Sequence, residues 1–160
     1  MNAKTQAFAM PIQLGDLAGT EALGARIAAG LGIGDTVALQ GDLGAGKTTL
    51  ARAILRALGV TESVPSPTFT LVQTYETPRL AVRHYDLYRI RSPREIDELG
   101  LEEALEDGAV LIEWPENAGN RLPGDTLHVV LTTTGPQARR ADIAGPGRWT
   151  TLLSGGALVR

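Results

Sequence analysis

The 160-residue chain contains no cysteine, and this absence removes several classes of site. Disulfide bridges, Cys-ligated zinc, iron–sulfur clusters and thiol nucleophiles all require that side chain. Histidine is scarce as well, because His84 and His128 are too few and too far apart in sequence to indicate a zinc site. Only Lys4 and Lys47 among the 15 basic residues are lysines. A lysine inside a motif is therefore informative in this chain.

Long apolar runs are also missing, since no stretch approaches the roughly 18 apolar residues of a membrane span. The first residues lack the apolar core of a signal peptide. The formal net charge is −3, without the basic excess typical of proteins that bind nucleic acid directly. We therefore expect a cytoplasmic protein that binds neither membrane nor DNA and that meets RNA only through a partner.

The hydrophobic pattern predicts an α/β fold with a mixed parallel and antiparallel sheet flanked by helices. No repeat or linker divides the chain, so we expect residues 1–160 to form a single domain. The predicted helices cover about 20–30, 49–58, a short helix that the capping box at Ser92 begins, and 101–107; the predicted strands cover 36–40, 68–76, 80–86, 109–113, 125–135 and 138–145.

One glycine-rich segment decides the functional class. Residues 41–48, GDLGAGKT, match the pattern G-x-x-x-x-G-K-[ST] and lie between a predicted strand and a predicted helix. In that context the loop's N–H groups and the helix N-terminus bind a polyphosphate, Lys47 reaches the β- and γ-phosphates, and the Thr48 hydroxyl can bind Mg²⁺. The expected nucleotide-binding residues are Gly41, Asp42, Leu43, Gly44, Ala45, Gly46, Lys47, Thr48 and Thr49.

The identity of the nucleotide follows by elimination. A guanine-specific site of the usual GTPase kind needs an Asn-Lys-x-Asp loop, and neither lysine of this chain lies in one. We therefore expect ATP, bound with Mg²⁺. The single domain is then expected to be a P-loop NTPase-like ATP-binding domain.

A P-loop also needs a carboxylate at the end of a neighbouring strand, where it holds Mg²⁺ or positions water. Two acids fit, because Asp86 ends the strand LAVRHYD and Glu113 ends the strand AVLIE. The segment from Ser66 to Phe69 is either a nucleotide-sensing loop or a proline turn before a strand. His84 is interpreted as a packed side chain, and Arg140 as a surface residue in an ion pair.

Five segments together resemble the TsaE family, the bacterial ATPases of tRNA threonylcarbamoyladenosine synthesis. The resemblance runs from about Thr20 to Pro123 and is much more specific than the P-loop alone. The segments are GDLGAGKTTL (41–50), VPSPTFTLVQTYE (64–76), HYDLYRI (84–90), ELGLEE (98–103) and IEWPENAGNRLP (112–123).

This resemblance implies an Mg²⁺-dependent ATPase that works with TsaB-like and TsaD-like proteins. In the family, TsaD transfers the threonylcarbamoyl group to N6 of adenosine 37 of tRNA, and hydrolysis by TsaE supports the cycling of the complex. Lys47, Asp86 and Glu113 are then the expected catalytic residues. Thr48 and Glu113 are the expected metal ligands, and Asp86 acts on water or metal.

Two other functions remain open at this point. A small-molecule kinase could use Arg89, Arg91 and Arg94 as a lid over a second substrate. A regulatory module could bind ATP, change shape and hydrolyse it negligibly, with its tyrosine and tryptophan side chains forming the partner surface.

Overall fold

The computed structural model describes residues 7–154, and these residues build one seven-stranded mixed sheet with helices on both faces. The predicted α/β fold class is confirmed. The outer limits of the predicted domain, residues 1–6 and 155–160, lie outside the described residues. The strands are β1 (Ala7–Leu14), β2 (Thr36–Gln40), β3 (Val72–Glu76), β4 (Ala81–Asp86), β5 (Gly108–Glu113), β6 (Leu127–Thr133) and β7 (Arg139–Pro146); the α-helices are α1 (Leu17–Gly30), α2 (Lys47–Ala57), α3 (Leu101–Asp107) and α4 (Thr150–Ser154). Short 3₁₀ helices cover Pro93–Leu99, Pro115–Ala118 and Gly147–Trp149.

The order of strands across the sheet is β1-β7-β6-β2-β5-β4-β3. The four central strands β6, β2, β5 and β4 are parallel to one another. Antiparallel pairs extend the sheet on both sides: β3 lies beside β4 on one side, and on the other side β7 lies beside β6 and β1 beside β7. The strands predicted at 68–76 and 80–86 thus form a hairpin, and those predicted at 125–135 and 138–145 form an antiparallel pair.

Strand β5 is buried on both of its faces, as expected for a central parallel strand. Leu111 packs into the core beneath α1 and α2, which also contains Ile27 and Ile54. Its neighbour Ile112 points to the opposite face, into the core that α3 and the 3₁₀ helix Pro93–Leu99 cover. The continuous apolar run of this strand thus serves two cores, which explains why it does not alternate.

Among the element boundaries that differ from the predicted ones, three have a clear local cause. Helix α1 begins at Leu17 because the side chain of Asp16, and not Thr20, caps it by accepting a hydrogen bond from the Gly19 N–H at 3.1 Å. Helix α2 begins at Lys47, directly after the left-handed residue Gly46. Strand β3 begins at Val72 and not at Thr68, because Leu71 has a φ of 71° and its N–H donates to the Pro67 carbonyl.

One strand, β1, and one α-helix, α4, were not predicted at all. Strand β1 contains Pro11, and it lies at the edge of the sheet, where a missing N–H donor is tolerated. After β7 the 3₁₀ helix Gly147–Trp149 leads into α4; Trp149 of the 3₁₀ helix and Leu153 of α4 are both buried. No helix among residues 7–154 is both long and apolar enough to cross a membrane.

Candidate nucleotide-binding site

The carboxyl ends of three parallel strands meet at one level of the sheet. The register places Leu39 of β2 opposite Glu113 of β5, and Glu113 opposite Asp86 of β4. The glycine-rich loop leaves β2 two residues beyond Leu39 and leads directly into α2. The loop and both candidate carboxylates therefore lie at the same edge, where ligands bind in open α/β sheets.

The glycine-rich loop depends on glycine at two positions for different reasons. A Cβ atom on Gly41 would lie 2.7 Å from the Leu131 carbonyl oxygen, so the loop passes too close to β6 for any side chain. Gly46 has a φ of 105°, a conformation that strains residues with a side chain. Between them the Ala45 N–H donates to the Asp42 carbonyl at 3.0 Å and closes a tight turn.

Lys47 lies at the first position of α2 and folds back over the loop. Its Nζ donates to the carbonyls of Gly41 at 2.6 Å and Asp42 at 3.0 Å, and it lies 4.2 Å from the centre of the Trp114 ring. Burial lowers the pKa of this ammonium group, while the nearby carboxylate of Glu113 opposes that shift. The ammonium group of Lys47 therefore lies where solvent screens its charge only weakly.

Thr48 and Glu113 are in direct contact at the base of the site. The Thr48 hydroxyl lies 2.9 Å from each of the two Glu113 carboxylate oxygens, and Glu113 is only 2% exposed. On its other side Glu113 Oε2 lies 2.7 Å from Nε2 of His84, which is fully buried on β4. Because a carboxylate only accepts, the ring nitrogen donates to it.

Asp86 forms a second polar cluster beside the first. The hydroxyls of Ser66 and Thr68 donate to its Oδ2 at 3.0 and 3.1 Å, and the Tyr88 N–H donates to its Oδ1 at 2.9 Å. Asp86 is 3% exposed, so these donors replace solvent around the carboxylate. The segment that begins at Ser66 is therefore tied to the end of β4 by its hydroxyl groups.

A cavity of about 330 Å³ joins these groups. Its walls come from the glycine-rich loop, the segment around Ser66, the ends of β4 and β5, and Arg139 of β7. The lining residues that the sequence predicted for this site are Leu43, Gly44, Gly46, Lys47, Thr48, Thr49, Asp86 and Glu113.

The donor set fits a nucleotide with a bound Mg²⁺. A hydroxyl and a carboxylate lie side by side, and Mg²⁺ prefers oxygen ligands and typically keeps only one or two protein carboxylates beside phosphates and water. Across residues 7–154 no group of three or more His, Asp or Glu side chains is placed to hold a metal ion by itself. The helix N-terminus and Lys47 are the groups that could supply a positive field for phosphates.

Two side chains that form hydrogen bonds at the site were not assigned to it from the sequence. His84 was interpreted as a packed histidine, and it is buried, but it also bonds the carboxylate of Glu113. Arg139 donates to two carbonyls of the glycine-rich loop, whereas Arg140, the arginine considered from the sequence, forms a surface ion pair with Asp142 at 2.9 Å. No local motif marks either contact, because each one joins residues distant in sequence.

Strand, glycine-rich loop, helix and strand-end carboxylate together define the class of a P-loop nucleotide-binding domain. The family model described as "Threonylcarbamoyl adenosine biosynthesis protein TsaE" matches residues 14–141. The chain belongs to the TsaE family, and the resemblance inferred from its motifs is confirmed.

Named relatives agree with this assignment. A tRNA threonylcarbamoyladenosine biosynthesis protein TsaE from Rickettsia felis is 43% identical, over 84% of this chain and 79% of the relative. The protein of the same name from Bacillus subtilis is 36% identical over 75% of each chain. The crystal structure of YdiB from Bacillus subtilis superimposes with a TM-score of 0.77, at 29% identity, covering 93% of this chain and 94% of that one. These comparisons fit a function in tRNA threonylcarbamoyladenosine synthesis. They do not fit the small-molecule kinase or the regulatory module.

The contact between His84 and Glu113 leads to a prediction about stability. His84→Ala leaves the buried carboxylate of Glu113 without its ring donor, and losing a hydrogen bond to a charged group typically costs about 1.5–3 kcal/mol of unfolding free energy. His84→Gln, which keeps an N–H donor, is expected to lose less. Chemical denaturation followed by circular dichroism measures both.

The other histidine of the chain provides the control. His128 is exposed on β6, so His128→Ala is expected to change the unfolding free energy by no more than about 0.5 kcal/mol. Equal losses for His84→Ala and His128→Ala would show that the contact with Glu113 contributes nothing to the fold.

Proposed function

We propose that this protein is an Mg²⁺-dependent ATPase that acts with TsaB-like and TsaD-like proteins in the synthesis of threonylcarbamoyladenosine in tRNA. The observation that carries the proposal is the contact of the Thr48 hydroxyl with both oxygens of Glu113, at the base of a complete glycine-rich loop. A polyphosphate on that loop and a metal ion at this pair would lie next to each other. Family membership supports the pathway, because the relatives are named for it.

In this proposal the loop and Lys47 bind the phosphates. The ammonium group now donates to the carbonyls of Gly41 and Asp42, and it retains a third donor for a phosphate oxygen. The nearby Trp114 ring limits the access of water, so the charge acts in a poorly screened environment.

Thr48 and Glu113 would hold Mg²⁺, which neutralises charge on the β- and γ-phosphates when it is bound. His84 keeps the Glu113 carboxylate oriented by its bond to Oε2, while Thr48 approaches both oxygens. An oriented carboxylate needs little rearrangement to bind a cation.

Asp86 would orient the attacking water. Its carboxylate lies beside Glu113 in the register of β4 and β5, and its Oδ2 already accepts from Ser66 and Thr68. Since both hydroxyls belong to one segment, a change at the γ-phosphate would be transmitted to residues 66–68. Residues 66–68 would then sense whether the γ-phosphate is present.

The partner proteins, and not this chain, would bind the tRNA. The net charge of −3 gives the chain no excess of basic residues with which to hold a polyanion by itself. TsaD-like and TsaB-like proteins are the proposed partners, and the transfer of the threonylcarbamoyl group belongs to TsaD. The contribution of this chain is the ATPase cycle.

A direct test of the ATPase uses Lys47→Ala. Removing the ammonium group is expected to lower the rate of phosphate release from Mg·ATP by about 100-fold or more, as for other charge-stabilising groups in transition states. The circular dichroism spectrum and a cooperative melt are expected to remain, because Lys47 contacts the loop and not the hydrophobic core. Hydrolysis by Lys47→Ala at the native rate would refute the proposed site.

A second test separates the roles of the two carboxylates. Glu113→Gln is expected to raise the Mg²⁺ concentration needed for half-maximal hydrolysis by about 10- to 100-fold, since metal ligands and their supports have effects of that size or larger. Asp86→Asn is expected to reduce kcat by about 100-fold or more with little change in the Mg²⁺ requirement, since it acts on water. Titration of hydrolysis with Mg²⁺ measures both quantities, and the opposite pattern would exchange the two roles.

A further inference from the structure

We propose that Arg139 is a positioning residue that holds the glycine-rich loop in its nucleotide-receiving shape. The inference deepens the proposed function and rests on it, because it concerns the same nucleotide site. Arg139 is the first residue of β7, more than ninety positions after the loop in sequence. It belongs to none of the motifs that indicated nucleotide binding.

The guanidinium group of Arg139 bonds four backbone carbonyls. Nε donates to Ala45 at 3.1 Å, and one terminal nitrogen donates to Gly44 at 3.2 Å. The other terminal nitrogen donates to Ala138 at 2.9 Å and to Gly135 at 3.3 Å. One planar side chain therefore joins the glycine-rich loop to the turn between β6 and β7.

These bonds fix the direction of a peptide group that matters for phosphate binding. The carbonyl of Ala45 and the N–H of Gly46 belong to the same planar trans peptide, so they point in opposite directions. With the carbonyl held by Arg139, the Gly46 N–H is directed away from the guanidinium. The neighbouring Ala45 N–H is already occupied by the Asp42 carbonyl, so the loop cannot easily rotate to compensate.

Glycine at position 46 makes such an external support useful. Its φ of 105° is one of many conformations open to glycine, so the loop loses much conformational freedom when it orders. A loop already held in place binds its ligand without that loss. Arginine suits the task because its fork can bond several carbonyls at fixed angles, which a lysine cannot do.

In the described part of the chain, the hydrogen bonds of the Arg139 guanidinium group all go to backbone carbonyls. Within residues 7–154 no carboxylate lies at ion-pair distance from it. It lines the cavity that Lys47 and Glu113 also line, and a second cavity of about 250 Å³ that shares Gly46 and Thr49 with the first. Arg140 lies on the opposite face of the same strand and pairs with Asp142, so the two arginines differ in their contacts and not in their chemistry.

This difference provides a matched experiment in the full chain. Arg139→Gln and Arg140→Gln remove the same charge, and calorimetric titration with Mg·ATP then measures affinity. Arg139→Gln is expected to weaken binding by about 10-fold or more, the usual effect of losing hydrogen bonds from a charged group. Arg140→Gln is expected to bind within about twofold of the native chain, because its ion pair is exposed.

Hydrogen–deuterium exchange of the nucleotide-free protein supplies a second measurement. Amides of residues 41–48 are expected to exchange faster in Arg139→Gln, with unchanged exchange in α1 and β5. Unchanged exchange in the loop would overturn the proposal. Should the native chain fail to bind ATP, the proposed function fails, while the exchange data still decide whether Arg139 holds the loop.

Arg139→Lys separates geometry from charge, and it also serves if the glutamine variant does not fold. One ammonium group cannot bond Gly44, Ala45 and the turn together, so recovery of affinity is expected to be partial. Native affinity in Arg139→Lys would mean that charge alone matters and would overturn the positioning role.

Discussion

The parallel register of β2, β5 and β4 is the constraint on which the rest of the site depends. It sets Leu39, Glu113 and Asp86 at one level, so the loop that leaves β2 emerges beside both carboxylates. The Thr48 hydroxyl then meets Glu113 across the first turn of α2. A shift of one residue would turn each of these side chains to the opposite face of the sheet. The burial of β5 in two cores makes such a shift costly, and the hydrophobic packing therefore fixes the polar site.

The parts of this architecture that could be predicted are those with local signals. Residues 41–48 carry a motif whose spacing predicts the loop. The apolar runs before the loop and before Glu113 predict buried strands. The strand ends indicated both carboxylates, because Glu113 follows an apolar run and Asp86 closes the strand predicted at 80–86. The hairpin and the capping box at Ser92 are also local, and both are present.

The parts that escaped prediction are those that the tertiary structure decides. Pro11 argues against a strand, yet β1 forms because an edge position does not require that N–H. Residues 68–71 have the composition of a strand, but hydroxyl bonds to Asp86 and the positive φ of Leu71 make them a turn. His84 and Arg139 reach the site only through partners far away in sequence: Glu113 is 29 positions from His84, and Ala45 is 94 positions from Arg139. The residues next to His84 and Arg139 in sequence therefore do not predict these contacts.

The most direct test of this account is the threonylcarbamoyladenosine content of tRNA, measured by nucleoside mass spectrometry. Cells depleted of the protein would be complemented with the native chain or with Lys47→Ala. The account predicts that the modified nucleoside is lost on depletion and restored by the native chain alone. Unchanged modification in depleted cells, with no second copy of the gene, would contradict the proposed pathway; full restoration by Lys47→Ala would contradict the need for its ATPase cycle.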